Sequence, residues 1–332
     1  MSLIDIRPLV MPPKVTISVS VHNTVNYLNV FFDCLFSQTY PNLEIIIVDD
    51  GSTDGSLEII KRNALKDNRI CFLQTEKHIT PDEAHQLTFE KATGKYIIPL
   101  DSDDYFPSNY VQALVVLAEQ FHLDFAVAPC QRIDESGQVY GKKISASKQT
   151  TVFFNEKEKL ALLKTKYGGW SRLVKKDFLI QWGYDYSQME MPLFFLQFYK
   201  SAKVGFSTDT CYFYRSRRDS ISRKNVAHRF CNLQPLFFLD WLPSGEIDEY
   251  VFPRVGLFAI RMVFPYIFYK HAVDKDYDYK KDIKLMKQMC SYSFWKSFCF
   301  FKYFNFKDKV MLFFFMNHCY GIISLYISLF RS

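Results

Sequence analysis

An α/β fold, with a mostly parallel sheet and helices on both faces, is predicted for residues 1–225 of this 332-residue chain, with a helical region over residues 226–332. Three observations predict it. Short, apolar, β-branched runs alternate with amphipathic helical stretches, which is the pattern of βαβ units. Two of those runs end on acidic clusters, where open parallel sheets place their ligands. After residue 226 the alternation stops and the chain becomes dense in Phe, Tyr and Lys.

The first run, residues 15–21 (VTISVSV), reads as a buried strand. Residues 25–37 place Tyr27, Leu28, Phe31, Phe32, Leu35 and Phe36 at helical spacing. Residues 43–48 (LEIIIV) form a second buried strand, which runs into Asp49-Asp50-Gly51-Ser52. A helix over 56–65 and a short strand over 69–74 follow. Thr80, Pro81 and Glu83 make a helix start, with Thr as cap, Pro at the first helical position and Glu closing a capping box. That helix is expected to run to Thr93 and stop at Gly94. Residues 95–100 (KYIIPL) are a fourth strand, ending at Asp101-Ser102-Asp103-Asp104. Pro107 opens another helix, and residues 124–129 are a fifth strand. Asn155 caps a Glu/Lys-rich helix. Gly168-Gly169-Trp170 is a break, residues 182–185 are a turn, and residues 192–200 are an apolar helix.

Composition narrows the class. The chain is 48% hydrophobic and 23% charged, which excludes a disordered or collagen-like polypeptide. A net charge of +6 suits an anionic ligand or membrane surface and is too small to argue for nucleic acid. The 8 cysteines include no CxxC pair, so neither a zinc ribbon nor a thioredoxin-type site is indicated. Dispersed thiols suit the reducing cytoplasm, and residues 1–14 lack the apolar core of a secretory signal. Oligomeric state has no sequence signal.

The turn after the first strand, Val21-His22-Asn23-Thr24-Val25-Asn26, lacks the glycines of a dinucleotide cradle, and no Walker loop exists. The crowding of Asp101, Asp103 and Asp104 is relieved if a cation compensates their charge. Oxygen-only ligands suit Mg²⁺ or Mn²⁺, which bridge carboxylates to phosphates. The other reading of this cluster, and of Asp49-Asp50, is a solvated polar turn; pattern alone leaves both open.

Together and in order, "VTISVSVHN", "SQTYPNLEIIIVDDGSTDGS", "ATGKYIIPLDSDDYFP" and "CYFYRSRRDSIS" resemble the family-2 inverting glycosyltransferases, which carry the nucleotide-diphospho-sugar transferase (GT-A) fold. The resemblance covers about residues 14–223. It implies that Ser20, with Asn23 beside it, lines the nucleotide and that Asp50 accepts from a uracil edge, with Asp49 supporting the turn. It implies that Asp101 faces the ribose and, with Asp103, belongs to the metal-holding DxD motif, Asp104 being a neighbour. A Mn²⁺ or Mg²⁺ ion would sit on the diphosphate of a UDP-sugar donor. The acceptor implied is a growing or lipid-linked bacterial surface glycan.

The sequence departs from the family pattern in three places. The family's base is the Asp of a Glu-Asp pair, and the matching stretch, GYDYSQMEMPLFFLQFYK, has Glu190 followed by Met191. Glu190 is the expected base; Asp185, or a protein that has lost catalysis and serves as a scaffold, are the alternatives. The family often has Ala-Arg-Asn where this chain has Ala84-His85-Gln86, so His85 is expected to donate to the diphosphate. Lys77, Arg215, Arg217 and Arg218 supply charge, with Arg215 in a segment that is a mobile lid in the family. The QxxRW motif of processive members is absent from Gln197-Phe198-Tyr199-Lys200, which implies single-sugar addition. One reading of His22, beside Asn23, has it lining the nucleotide site, and His228 falls where some related folds place an extra metal ligand, but each reads first as an ordinary loop histidine. A nucleotidyltransferase or an oxidoreductase on a similar sheet is a weaker reading.

Residues 294–331 interleave aromatics with lysines, and residues 310–330 approach the ~20 apolar residues of a membrane span. Three readings stand: a helical cap, an interfacial anchor on the inner face of the cytoplasmic membrane, or a transmembrane segment.

Overall fold

The structure is a computed structural model and describes residues 12–159, 161–162, 171–181, 183, 197 and 202–218. By internal contacts the chain divides into Met1–Gln197 with Ser201–Ser216, and Phe198–Lys200 with Arg217–Ser332. Apart from Arg217 and Arg218, the described residues all belong to the first unit.

The alternation expected from sequence is present: β1 (Val15–Val21), α1 (Val25–Phe36), β2 (Leu43–Asp49), α2 (Ser56–Ala64), β3 (Ile70–Gln74), α3 (Pro81–Lys91), β4 (Tyr96–Asp101) and α4 (Tyr110–Phe121). Then come β5 (Phe125–Val127), β6 (Cys130–Ile133), β7 (Val139–Ile144), β8 (Thr151–Phe153), α5 (Glu156–Lys159), β9 (Arg172–Lys175), α6 (Lys176–Gln181), β10 (Val204–Phe206) and β11 (Tyr212–Arg215).

The main sheet has eight strands in the order β3-β2-β1-β4-β9-β5-β10-β8. β3, β2, β1 and β4 are mutually parallel. β9 is antiparallel to β4 on one side and to β5 on the other, so the sheet is mixed beyond β4. A smaller sheet has the order β11-β6-β7.

The apolar runs form the central strands because both sheet faces are covered. Val15, Ile17, Val19 and Val21 have no exposed surface, and the same holds for Ile45 and Ile47 of β2 and for Ile98 and Leu100 of β4. Leu28, Phe31, Phe32 and Leu35 of α1 pack into that core. The capping box of α3 is present: Glu83 N donates to Thr80 Oγ1 at 3.2 Å, and Thr80 N donates to Glu83 Oε2 at 2.7 Å. Asn155 caps α5, accepting from Glu158 N at 3.0 Å.

Several details differ from expectation: α4 begins at Tyr110, not at Pro107, and β5 covers only Phe125–Val127 of residues 124–129. α3 ends at Lys91, not Thr93. Gly94 serves a close approach: a Cβ there would lie 2.6 Å from Thr16 N and Oγ1 of β1. Among the described residues no helix is long and apolar enough to cross a membrane. Residues 294–331, on which the anchor reading rests, lie outside the described residues, as do the break at 168–170 and the helix expected over 192–200, apart from Gln197.

Candidate active site

Parallel pairing brings three strand ends side by side. Ser20, near the end of β1, lies opposite Val48 of β2 and Asp101 of β4, and Val21 lies opposite Asp49. Ser20, Asn23, Asp50, Asp101 and Asp103 therefore gather at the carboxyl edge of one sheet, where an open α/β fold binds ligands.

The turn after β1 is tied to the turn after β2. Asn23 adopts φ of +51°, a left-handed conformation that Asn tolerates. Its Oδ1 accepts from Thr53 N at 2.8 Å, and its own N–H donates to Ser52 Oγ at 3.1 Å. Asp54 extends the tie: Oδ2 accepts from Val25 N at 2.9 Å, and Oδ1 accepts from Ser56 Oγ at 2.6 Å. Burial opposes ionisation of Asp54, but these hydrogen bonds outweigh it and hold its carboxyl below the ordinary carboxylate range.

The β2 end is built around Asp50, whose side chain is 3% exposed. Its Oδ1 accepts from Ile79 N at 2.5 Å. Its Oδ2 stands 2.6 Å from His78 Nδ1 and 3.7 Å from His22 Nδ1. His22 Nδ1 also lies 2.6 Å from the Asp50 carbonyl oxygen. Asp49 is fully buried and turned to local duty: Ser52 N points to its Oδ2 at 3.4 Å, and its carbonyl accepts from Thr75 N at 3.0 Å.

The β4 end is built from carboxylates. One oxygen each of Asp101, Asp103 and Asp104 lies within 4.8 Å of the others. Asp104 is 1% exposed, and its Oδ1 accepts from Arg215 N at 2.7 Å. Burial, then the charges of Asp103 and Asp101, push the Asp104 carboxyl well above its usual range. A divalent cation relieves that repulsion, and an all-oxygen donor set fits Mg²⁺ or Mn²⁺. The residues present thus fit such an ion.

Arg215, at the end of β11, comes to this cluster. Its Nε donates to the Asp103 carbonyl at 2.7 Å, and one terminal nitrogen donates to the carbonyls of Asp134 and Glu135 at 3.1 and 2.9 Å. The guanidinium also lies over the Tyr27 ring, 5.2 Å from its centroid. It clamps backbone, and Arg215 itself ends a strand paired with β6; residues 219–223 of the expected lid lie outside the described residues.

His85 lies elsewhere. It is 1% exposed on α3, with Nδ1 2.7 Å from Ser18 Oγ in the middle of β1. Burial lowers its pKa to about 4. The neutral ring brings no charge to a diphosphate, and it faces the sheet instead of the strand ends. Glu190, Met191, Asp185 and His228 lie outside the described residues.

Sequence reasoning missed His78. It becomes visible only from the strand order: β3, β2 and β1 are adjacent, so the segments following each meet.

A family model described as glycosyl transferase family 2 matches residues 16–216. Glycosyltransferase GlyA of Streptococcus pneumoniae is 30% identical over 229 residues, which are 65% of this chain and 32% of that protein. The chain thus spans about a third of GlyA's length. Glycosyltransferase GlyG of the same organism is 25% identical over 305 residues, 84% of this chain and 95% of that one. The crystal structure of Staphylococcus aureus TarS 1-349 in complex with UDP-GlcNAc superposes with a TM-score of 0.61 at 14% identity, covering 83% of this chain and 80% of that one.

Proposed function

The chain belongs to glycosyl transferase family 2, and from that premise we propose that it moves one sugar from a UDP-linked donor to a glycan hydroxyl, with inversion. One observation carries the proposal: the acidic ends of β2 and β4 flank the end of β1, with Ser20 directly opposite Asp101. A nucleoside diphosphate laid across β1 meets Asp50 at one end and the Asp101–Asp103 pair at the other. The binding of UDP-GlcNAc by TarS, which shares the fold, supports a UDP-sugar as donor.

In this reading Asp50 accepts a hydrogen bond from the uracil imide, held ready by the Ile79 N–H. Ser20 and Asn23 line the nucleoside, and Asp101 faces the ribose. A Mn²⁺ or Mg²⁺ ion on Asp103 and Asp101, when bound, stabilises the charge that develops on the leaving diphosphate. Arg215 acts on the site by fixing the Asp103 carbonyl. The bond from the anomeric carbon to the diphosphate oxygen breaks as the acceptor oxygen bonds to that carbon from the opposite face. The acceptor's proton passes to a carboxylate, for which Glu190 is the assignment, and UDP leaves. The acceptor is a growing or lipid-linked surface glycan. In this reading residues 1–225 do the chemistry; the cap, anchor and span readings of the C-terminal region fall on residues outside those described.

Met191, a thioether where the family has its base, favours a second reading: a donor-binding scaffold that turns nothing over. Incubating the protein with UDP-sugars, Mn²⁺ and acceptor glycans separates the two. Release of UDP with glycosylated product supports the transferase. Mn²⁺-dependent UDP binding without UDP release supports the scaffold. Release of pyrophosphate, or no nucleotide binding at millimolar UDP, overturns both.

A further inference from the structure

The strand ends carry a second candidate metal-ligand set beside the carboxylate cluster. His22 follows β1, Asp50 follows β2 and His78 follows β3, and one ligating atom of each lies within 4.8 Å of the others. The two rings stand 4.6 Å apart, centroid to centroid, at 45°. The Asp50 side chain is 3% exposed, whereas those of His22 and His78 are 40% and 67% exposed. A buried carboxylate therefore lies beneath two imidazoles that an ion can reach from solvent.

Two features make this a metal-site geometry and not a chance meeting on the surface. The carboxylate is oriented from behind, because Ile79 N holds Oδ1 and leaves Oδ2 toward the histidines. His22 and Asp50 directly follow β1 and β2, and His78 lies in the loop between β3 and α3, next to the Ile79 N–H that binds Asp50. Two imidazoles and one carboxylate leave a fourth position open, as in zinc sites that keep a water. Imidazole nitrogens prefer Zn²⁺, Co²⁺ and Ni²⁺, whereas the all-oxygen set at Asp101, Asp103 and Asp104 prefers Mg²⁺ and Mn²⁺. The edge of one sheet thus presents two donor sets of different selectivity.

We infer that His22, Asp50 and His78 form a site for a Zn²⁺-class cation, and that filling it withdraws Asp50 from a nucleobase. The first part stands on the ligand geometry alone; the second rests on the nucleotide reading above. The consequence is inhibition by zinc that competes with the nucleotide instead of displacing the cation at the oxygen site.

Cobalt is the probe, because its visible absorption reports coordination. The full chain, with excess Mg²⁺ to fill the oxygen site, is titrated with Co²⁺. The expected result is a visible band that saturates at one Co²⁺ per chain and is discharged by Zn²⁺. His22→Ala and His78→Ala each weaken binding by about tenfold or more, while Asp103→Ala leaves it unchanged. Both histidines are solvent-exposed, and circular dichroism of the variants checks that the fold is kept. An unchanged titration in both histidine variants overturns the site. So does a sulfur-to-cobalt charge-transfer band that persists in them, which assigns the ion to cysteines.

A second arm titrates UDP with Mg²⁺ present, with and without Zn²⁺. Zinc is expected to raise the apparent Kd for UDP in the unmodified chain and not in the His22→Ala/His78→Ala double variant. Equal UDP affinity with zinc bound overturns the exclusion and leaves the metal site standing. Absence of UDP binding under every condition counts against the nucleotide reading, and the cobalt result still decides the site.

Discussion

At the end of β2, Asp50 is a buried carboxylate with a backbone N–H behind it and two imidazoles in front. At the end of β4, three carboxylates face one another, and the most buried of them takes the Arg215 N–H. The two ends lie on either side of β1 in the same sheet and share their acid chemistry. What differs is how each handles negative charge. The β2 end sets Asp50 among hydrogen-bond donors, which suits reading a polar edge. The β4 end leaves its charges crowded and pushes Asp104 toward its protonated form, which suits waiting for a cation. Identical side chains acquire different tasks through their neighbours.

The contrast breaks most decisively at Asp103. Asp103→Ala is expected to lower kcat/KM about 10³-fold, with Mn²⁺ no longer raising the melting temperature of the nucleotide complex. Unchanged steady-state rates would merge the two ends into one nucleotide-contacting surface and remove the cation assignment.

A third region, inside the sheet, sharpens it next. His85 is the same residue type as His22 and His78 but has almost no exposed surface. Unfolded, it binds a proton below its ordinary value of 6.5; folded, only below about 4. The unfolded chain therefore holds more protons between those limits, so this contribution to stability is complete above about pH 6.5 and is lost as pH falls through 4. Full loss amounts to about 3 kcal/mol. Denaturant melts across that window should show the slope in the unmodified chain and a flatter one in His85→Gln. Equal slopes would mean the His85 ring titrates in the folded chain as it does in the unfolded one.

Smaller again is the effect at Asp50. Asp50→Asn keeps the shape and removes the charge, and it should weaken UDP binding by about 2 kcal/mol, read by calorimetry. The sugar-transfer rate at saturating donor should hold. A fall in kcat with intact affinity would move Asp50 from recognition to chemistry. The smallest effect belongs to the segment that carries His78 into α3. Thr80→Ala removes one half of the capping box and should cost about 1 kcal/mol in chemical denaturation. It also loosens the Ile79 N–H that orients Asp50, so UDP affinity should fall slightly with it.

Much of the fold was legible because its strands are long and apolar. β1, β2 and β4 each bury nearly every residue, and the helices between them have readable caps or stripes. β8 and β10, of 3 residues each, carry no period. β9 was hidden by its chemistry, since it begins with a fully buried arginine, Arg172. In the site, Asp50, Asp101 and Asp103 were legible because each follows a run that has to be a strand. His85 was misplaced because α3 buries Ala84, His85 and Thr88, a face too polar to announce which side meets the sheet. His78 needed the strand order, which no local pattern encodes.

The hydroxyls beneath the site have one more consequence. Ser102 Oγ lies 3.1 Å from Thr24 Oγ1, Thr24 N donates to Ser56 Oγ at 3.0 Å, and Ser56 Oγ donates to Asp54 at 2.6 Å. Each of Ser102, Thr24 and Ser56 is buried. This relay links the segment after β4, through the β1 turn, to the start of α2. The gap between the two acidic ends is thereby set during folding, like a caliper locked before it meets its object. A ligand that spans both ends meets groups already held in place and loses less entropy than one that must gather them. The spacing of the strands, more than any one contact, is then the first filter on what can bind.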